Sequence, residues 1–221
     1  MHNSATINLN VLETCRQRNI KHIFYSSSAC MYPEYNQMDP DNPLCSEESA
    51  YPANPDSEYG WEKLFSERLF LAYGRNHGMT VRVGRYHNIY GTHGTWEGGR
   101  EKAPAALTRK ILEAIKNNKK YIEIWGNGNQ VRSFLHIQDC IKATDLLFRS
   151  NFRNPINIGH EKHVSINKLV NIIEKISGHS FKKKYNLKKP QGVFSRSSDN
   201  TLIKKTLKWS PKIKLEDGMK E

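Results

Sequence analysis

Ile23-Phe24-Tyr25-Ser26-Ser27-Ser28-Ala29-Cys30-Met31-Tyr32 begins as a short apolar run and opens at once into small hydroxyl residues. The apolar part has the composition of a buried parallel strand. Ligands of a doubly wound α/β sheet bind beyond the carboxyl ends of its strands, and the Ser26 to Cys30 run emerges at such an end. Downstream lies Tyr59-Gly60-Trp61-Glu62-Lys63, whose Tyr and Lys share one helix face, a turn apart. An ammonium beside a phenol favours the phenolate, so a group that ordinarily ionises near pH ~10 becomes a usable base. A Tyr that takes a hydroxyl proton while a nicotinamide takes a hydride is the requirement of a dehydrogenase-type site.

Outward from these stretches the chain alternates helix and strand. Residues 8–18 carry Leu9, Val11, Leu12 and Cys15 at helical spacing, and residues 21–26 follow as a strand. Pro33, Pro40, Pro43, Pro52 and Pro55 make residues 33–56 a loop. The helix of Tyr59 and Lys63 continues through Leu64, Leu69, Phe70 and Tyr73 to Gly74 and Gly78. Further strands are expected at 80–85, 122–125, 132–137 and 156–159, and helices at 101–117, 138–149 and 165–176. A glycine-rich loop fills 91–99, a turn fills 126–129, and the tail reads as polar.

The chain has 221 residues, 37% of them hydrophobic, enough for one substantial core and a small second lobe. No apolar run approaches the ~18 residues of a membrane span, and Met1-His2-Asn3 leads into a polar helix rather than a signal peptide, which points to a cytoplasmic protein without membrane partners. Cys15, Cys30, Cys45 and Cys140 lie far apart, without metal-ligand spacing, so no metal is expected and the thiols are read as reduced. The net charge of +12 and the Lys182 to Lys189 run raise nucleic acid as a partner, but no nucleic-acid-binding motif accompanies them and a solvated basic face is the simpler reading. His87, Cys15, Cys45 and Cys140 are read as structural.

Four runs tie the chain to a family: Ser27-Ser28-Ala29-Cys30-Met31-Tyr32-Pro33-Glu34, Gly84-Arg85-Tyr86-His87-Asn88-Ile89-Tyr90-Gly91, Gly98-Gly99-Arg100-Glu101-Lys102-Ala103-Pro104-Ala105-Ala106 and Ser197-Ser198-Asp199-Asn200. Together they resemble the GDP-mannose 3,5-epimerases of the extended short-chain dehydrogenase/reductase superfamily. The resemblance implies a Rossmann-like doubly wound parallel sheet, present in part, with a smaller C-terminal α/β substrate lobe. Residues 1–91 would be the C-terminal part of the NAD-binding domain and 92–221 mainly the substrate lobe, with 132–150 returning to the first domain. It implies NAD as cofactor, GDP-mannose as substrate and GDP-L-galactose or GDP-L-gulose as product.

The site residues it implies are specific. Tyr59, with Lys63 lowering its pKa and Ser28 on the same hydroxyl, would help oxidise C4 of the hexose. A C4 ketone acidifies the hydrogens on C3 and C5, and Cys30 and Lys102 would exchange them from opposite faces of the ring. Ser28, Ala29, Cys30, Asn88, Glu101, Lys102 and Ala103 would line the sugar, while Lys110, Gln130, Val131, Arg132 and Arg196 would hold the ribose or diphosphate. The run Val193-Phe194-Ser195 departs from the family pattern just before Arg196.

A dinucleotide-binding sheet normally opens with a strand, a glycine-rich turn and a helix, and residues 1–21 hold no such pattern. The expectation is a chain cut at both ends, inactive alone and dimeric when complete. Two rivals stand beside this reading: a sibling 4-epimerase, 4,6-dehydratase or decarboxylase, and a non-catalytic nucleotide-sugar-binding or basic module.

Overall fold

The computed structural model describes residues 2–39 and 41–221; Met1 and Pro40, the latter one of the prolines of the 33–56 segment, lie outside the described residues. The chain opens with helix α1 (His2–Gln17), strand β1 (His22–Ser28) and a 3-10 turn over Ala29–Met31. The proline-broken segment holds two more such turns and the short strand β2 (Leu44–Cys45). Helix α2 (Glu58–His77) starts where Ser57 accepts the Gly60 N–H and stops at Gly78, whose φ of 64° is the left-handed closure that glycine allows. Strands β3 (Thr80–Tyr86) and β4 (Ile89–Tyr90) follow, then α3 (Ala103–Lys116) and β5 (Tyr121–Trp125).

Residues 132–137, expected to form one strand, divide into β6 (Val131–Ser133) and β7 (Leu135–His136), which lie in different sheets. Phe134 between them is buried in the second core, so packing turns the chain where its apolar pattern runs on. After α4 (Ile137–Arg149) come β8 (Ile156–Ile158), β9 (His163–Ser165), α5 (Ile166–Ser177), β10 (Lys182–Asn186), β11 (Ser195–Ser198), α6 (Thr201–Leu207) and α7 (Leu215–Gly218).

The central sheet is parallel, in the order β1-β3-β8. Side chains alternate across it, as the two-residue period of a strand requires. Tyr25, Val81 and Val83 face α1 and α2 with Leu12 and Phe70. Phe24, Tyr86, Ile156 and Ile158 face α4 and α6 with Leu147 and Ile203. Helices on both faces of a parallel sheet make this the doubly wound α/β class, and β8 joins α4 among the elements that return to it. A second core forms between α3, α5 and β5 around Leu107, Ile111, Ile124 and Leu169. Its edge is β10, which pairs in parallel with β5; the Lys182 to Lys184 run is thus an edge strand that leaves Lys182 and Lys184 exposed to solvent.

The tail read as polar also contains β11. All four of its residues, Ser195-Arg196-Ser197-Ser198, are buried, and its neighbours are β2 on one side and β6 on the other. Hydrogen bonds replace apolar burial there: Ser195 donates to the Asp39 carbonyl, Ser197 to Glu161 and Ser198 to Asn200.

Candidate active site

Two strand ends and one helix start assemble the first half of the site. Ser28 closes β1 and its hydroxyl accepts the Cys30 N–H at 3.2 Å, fixing the turn that presents the thiol. The first turn of α2 lies against this turn. A Cβ on Gly60 would run into the Cys30 carbonyl oxygen and stand 2.8 Å from the Pro55 Cβ, so only glycine lets the helix approach so closely. Tyr59, the preceding residue, is thereby brought to Ser28 and Cys30.

The electrostatics differ from the sequence expectation. Burial pushes the Tyr59 phenol above its ordinary value, with the Ser28 hydroxyl pulling the other way. Lys63 is not what lowers it: the ammonium donates to the Ser26 carbonyl at 3.0 Å and lies 5.8 Å from the Tyr59 ring centre, and burial depresses its own pKa. The lysine is aimed at the backbone of β1 rather than at the phenol oxygen. One donor of Lys63 is engaged and the others remain available, which suits a ribose held between it and Tyr59.

Cys30 faces a cation. The Arg196 guanidinium donates through Nη1 to the Cys30 Sγ at 3.1 Å and through Nε to the Gln37 side-chain oxygen, and Nη2 stands 3.7 Å from Asp56. The register of β11 on β6 makes Arg196 the direct partner of Arg132. Burial, with Arg196 alongside, lowers Arg132 to about 10. Arg132 itself is tied down by the carbonyls of Val131, Val193 and Phe194.

On its far side Arg132 lines a cavity of about 330 Å³. The same cavity is lined by Asn88, Glu101, Lys102, Ala103, Lys110 and Gln130, seven of the sequence-derived candidates in one place. Lys102 sits at the start of α3, where Pro104 favours helix initiation. Asn88 adopts φ 42° and donates to the Ser133 carbonyl. Lys110 donates to the Glu123 carbonyl and lies over Trp125, and burial lowers its pKa. Glu101 and Gln130 each keep one buried side-chain oxygen without a partner. Cations that suit phosphate oxygens, beside acceptors that need donors, describe a pocket for an anion rich in hydroxyl or N–H groups.

Some candidates fall elsewhere. Ala29 is buried in the small core under the turn, Val131 lies outside the lining, and Arg196 stands at the thiol instead of in the cavity. A larger space of about 620 Å³, mostly apolar, lies on the other side of Lys102 and Arg109 and includes neither Cys30 nor Tyr59. His87 is fully buried against Asn157, and burial lowers it to about 3, a structural histidine. Sequence reasoning passed over Gln37, Arg109 and Gly60. Only Gly60 carried a signal, because glycine inside a helix is disfavoured by about 1 kcal/mol and calls for a reason.

Comparison with known proteins places the chain in a family. Residues 1–159 match the model of the NAD dependent epimerase/dehydratase family. The whole chain is 44% identical over 220 residues to GDP-mannose 3,5-epimerase 1 of Oryza sativa subsp. indica, of which it spans 57%. Among solved structures, UDP-glucose 4-epimerase with UDP-glucose from Thermotoga maritima superposes with a TM-score of 0.84 at 25% identity, covering 96% of this chain and 65% of that one. UDP-glucuronic acid 4-epimerase from Bacillus cereus, in complex with UDP-glucuronic acid and NAD, gives 0.80 at 27% identity, covering 98% and 64%.

Proposed function

Because the chain belongs to the NAD-dependent epimerase/dehydratase family, we propose that it carries the acid/base and sugar-binding part of an enzyme that epimerises GDP-mannose at C3 and C5, giving GDP-L-galactose or GDP-L-gulose. One observation carries the reading. Arg132 lines the cavity that Lys102 also lines, and its strand partner Arg196 donates to the Cys30 thiol, which supports a site shared by the two proposed proton-exchanging groups.

In this reading Tyr59, with Ser28, takes the proton of the C4 hydroxyl. NAD, when bound, supplies a reversible acceptor for the C4 hydride and is recycled. The residues present fit its nicotinamide end: Ser28 at the end of β1, the half-exposed Tyr59, and Lys63 with donors to spare. With C4 oxidised, Cys30 and Lys102 remove and return the carbon-bound protons. Lys110, Gln130 and Arg132 hold the diphosphate and ribose, while Asn88, Glu101 and Ala103 orient the hexose. A 4-epimerase needs no such second acid/base pair, and the Cys30 thiol with its guanidinium would have no part in that reaction.

Helices α1 and α2 expose Ile7, Val11, Trp61 and Phe65 as two neighbouring stripes, which supports a homodimer built on these helices. No helix among the described residues is long and apolar enough to cross a membrane.

The test is solvent exchange. GDP-mannose incubated with the native protein in heavy water should gain deuterium at C3 and C5, seen by NMR. Interconversion at C4 alone, with no label at either carbon, would overturn the proposal in favour of a 4-epimerase.

A further inference from the structure

Gln37 is fully buried behind the thiol and makes three hydrogen bonds. Its amide nitrogen donates to the Tyr32 and Pro33 carbonyls, each at 3.0 Å, and its oxygen accepts from the Arg196 Nε. This orientation is over-determined, because a flipped amide would set oxygen against two carbonyls and N–H against N–H. The Arg196 side chain, itself only 8% exposed, is offered two anchors, this neutral oxygen and the Asp56 carboxylate 3.7 Å from Nη2. Tightening that ion pair would draw the guanidinium away from Cys30.

We propose that Gln37 is a positioning residue that holds the Arg196 guanidinium against the Cys30 thiol and keeps it from collapsing onto Asp56. The inference rests on the reading of Cys30 as an acid/base group, which needs a fixed partner for the charge that comes and goes on sulfur. The neutral amide suits this role, because it accepts one guanidinium N–H without neutralising the cation, as a carboxylate would.

The experiment uses two alkylating reagents on the native protein, the anionic iodoacetate and the neutral iodoacetamide, with the rate at Cys30 followed by peptide mass spectrometry. Both attack the same thiolate, so the ratio of the rates cancels its population and its accessibility and reports the local positive potential. Arg196→Leu sets the ratio without the cation, a fall of about threefold or more for unit charges a few ångströms apart. Gln37→Met, which keeps the side-chain length and removes the acceptor together with the two donors to the Tyr32 and Pro33 carbonyls, should fall most of the way to that value. Asp56→Asn should leave the ratio at or above wild type. A wild-type ratio in Gln37→Met, an unchanged ratio in Arg196→Leu, or a collapse in Asp56→Asn would each overturn the proposal. Because alkylation needs neither cofactor nor turnover, its failure is distinguishable from failure of the epimerase reading, which the C3 and C5 exchange decides.

Discussion

Replacing Gly60 by alanine sets two effects of known size against each other. Alanine is favoured over glycine inside a helix by about 1 kcal/mol. Against this, the new methyl meets the Cys30 carbonyl and stands 2.8 Å from the Pro55 Cβ, where ordinary contact begins near 3.4 Å. Neither neighbour is the free end of a flexible side chain, so the first turn of α2 and the Cys30 turn must separate by on the order of 1 Å. Overpacking of this kind costs about 1–3 kcal/mol. The net loss of stability is therefore small, about 0–2 kcal/mol, or a few degrees in Tm for a chain of this size. Catalysis is the more sensitive reporter, since misplacement by ~1 Å can cost on the order of a hundredfold in rate. Gly74→Ala, in the same helix with its nearest neighbours at 3.3 Å, serves as a control that requires only small adjustments. The assay is differential scanning calorimetry alongside deuterium incorporation from heavy water. Gly60→Ala should unfold slightly earlier than wild type and exchange label far more slowly, with Gly74→Ala close to wild type in exchange. A Gly60→Ala protein that melts higher and exchanges at the wild-type rate would refute the close approach of helix and turn.

Four other outcomes are expected. Cys30→Ser should abolish epimerisation in the native protein while C4 oxidation, followed as NADH absorbance, partly survives; Lys102→Met should behave alike, and normal exchange at both carbons in either variant would remove that residue from the mechanism. Glu67→Leu strands the buried Arg85, whose guanidinium meets Glu67 at 2.6 Å with both side chains nearly inaccessible, and should destabilise by about 3–5 kcal/mol in denaturant titration. His87 titrates at about 3 when folded and near ~6.5 when unfolded, so the unfolded chain binds the extra proton: stability is unaffected above pH ~6.5, falls by at most about 1.4 kcal/mol per pH unit between there and 3, and levels off below. His87→Asn should flatten that part of the acid melting profile. The native protein should sediment as a dimer, and Phe65→Asp on the exposed α2 stripe should shift it toward monomer.

Much of this architecture was legible because apolar periodicity announces it. The run Ile23-Phe24-Tyr25 and the spacing along residues 59–73 carry β1 and α2, and two of the motif runs carry Asn88, Gly99, Glu101, Lys102, Ala103 and Ala106 of the cavity lining. Where burial is achieved by hydrogen bonds, the signal vanishes. Strand β11 has no apolar residue at all, and β10 opens with three lysines; both are specified by partners far away in sequence. The family resemblance gives Arg196 to the ribose or diphosphate, whereas its placement at Cys30 follows from a strand register that no local pattern encodes. Lys63 illustrates the converse. The helical interval correctly sets it beside Tyr59, but only the carbonyl of Ser26 reveals where the ammonium points.

Strand β11 also limits how the molecule can breathe. It is hydrogen-bonded to β2, in the segment that follows β1, and to β6, which leads into the cavity wall, so one ladder stitches the two halves together behind the two arginines. Swinging the halves apart as rigid shells would shear that ladder and leave buried hydroxyls without their acceptors. The glycine-rich segment 91–99, where Gly91, Gly98 and Gly99 have positive φ and Trp96 is largely exposed, lies outside that ladder. Through the pairing of Arg196 with Arg132, the ladder fixes the spacing between the Cys30 thiol and the cavity that Arg132 lines.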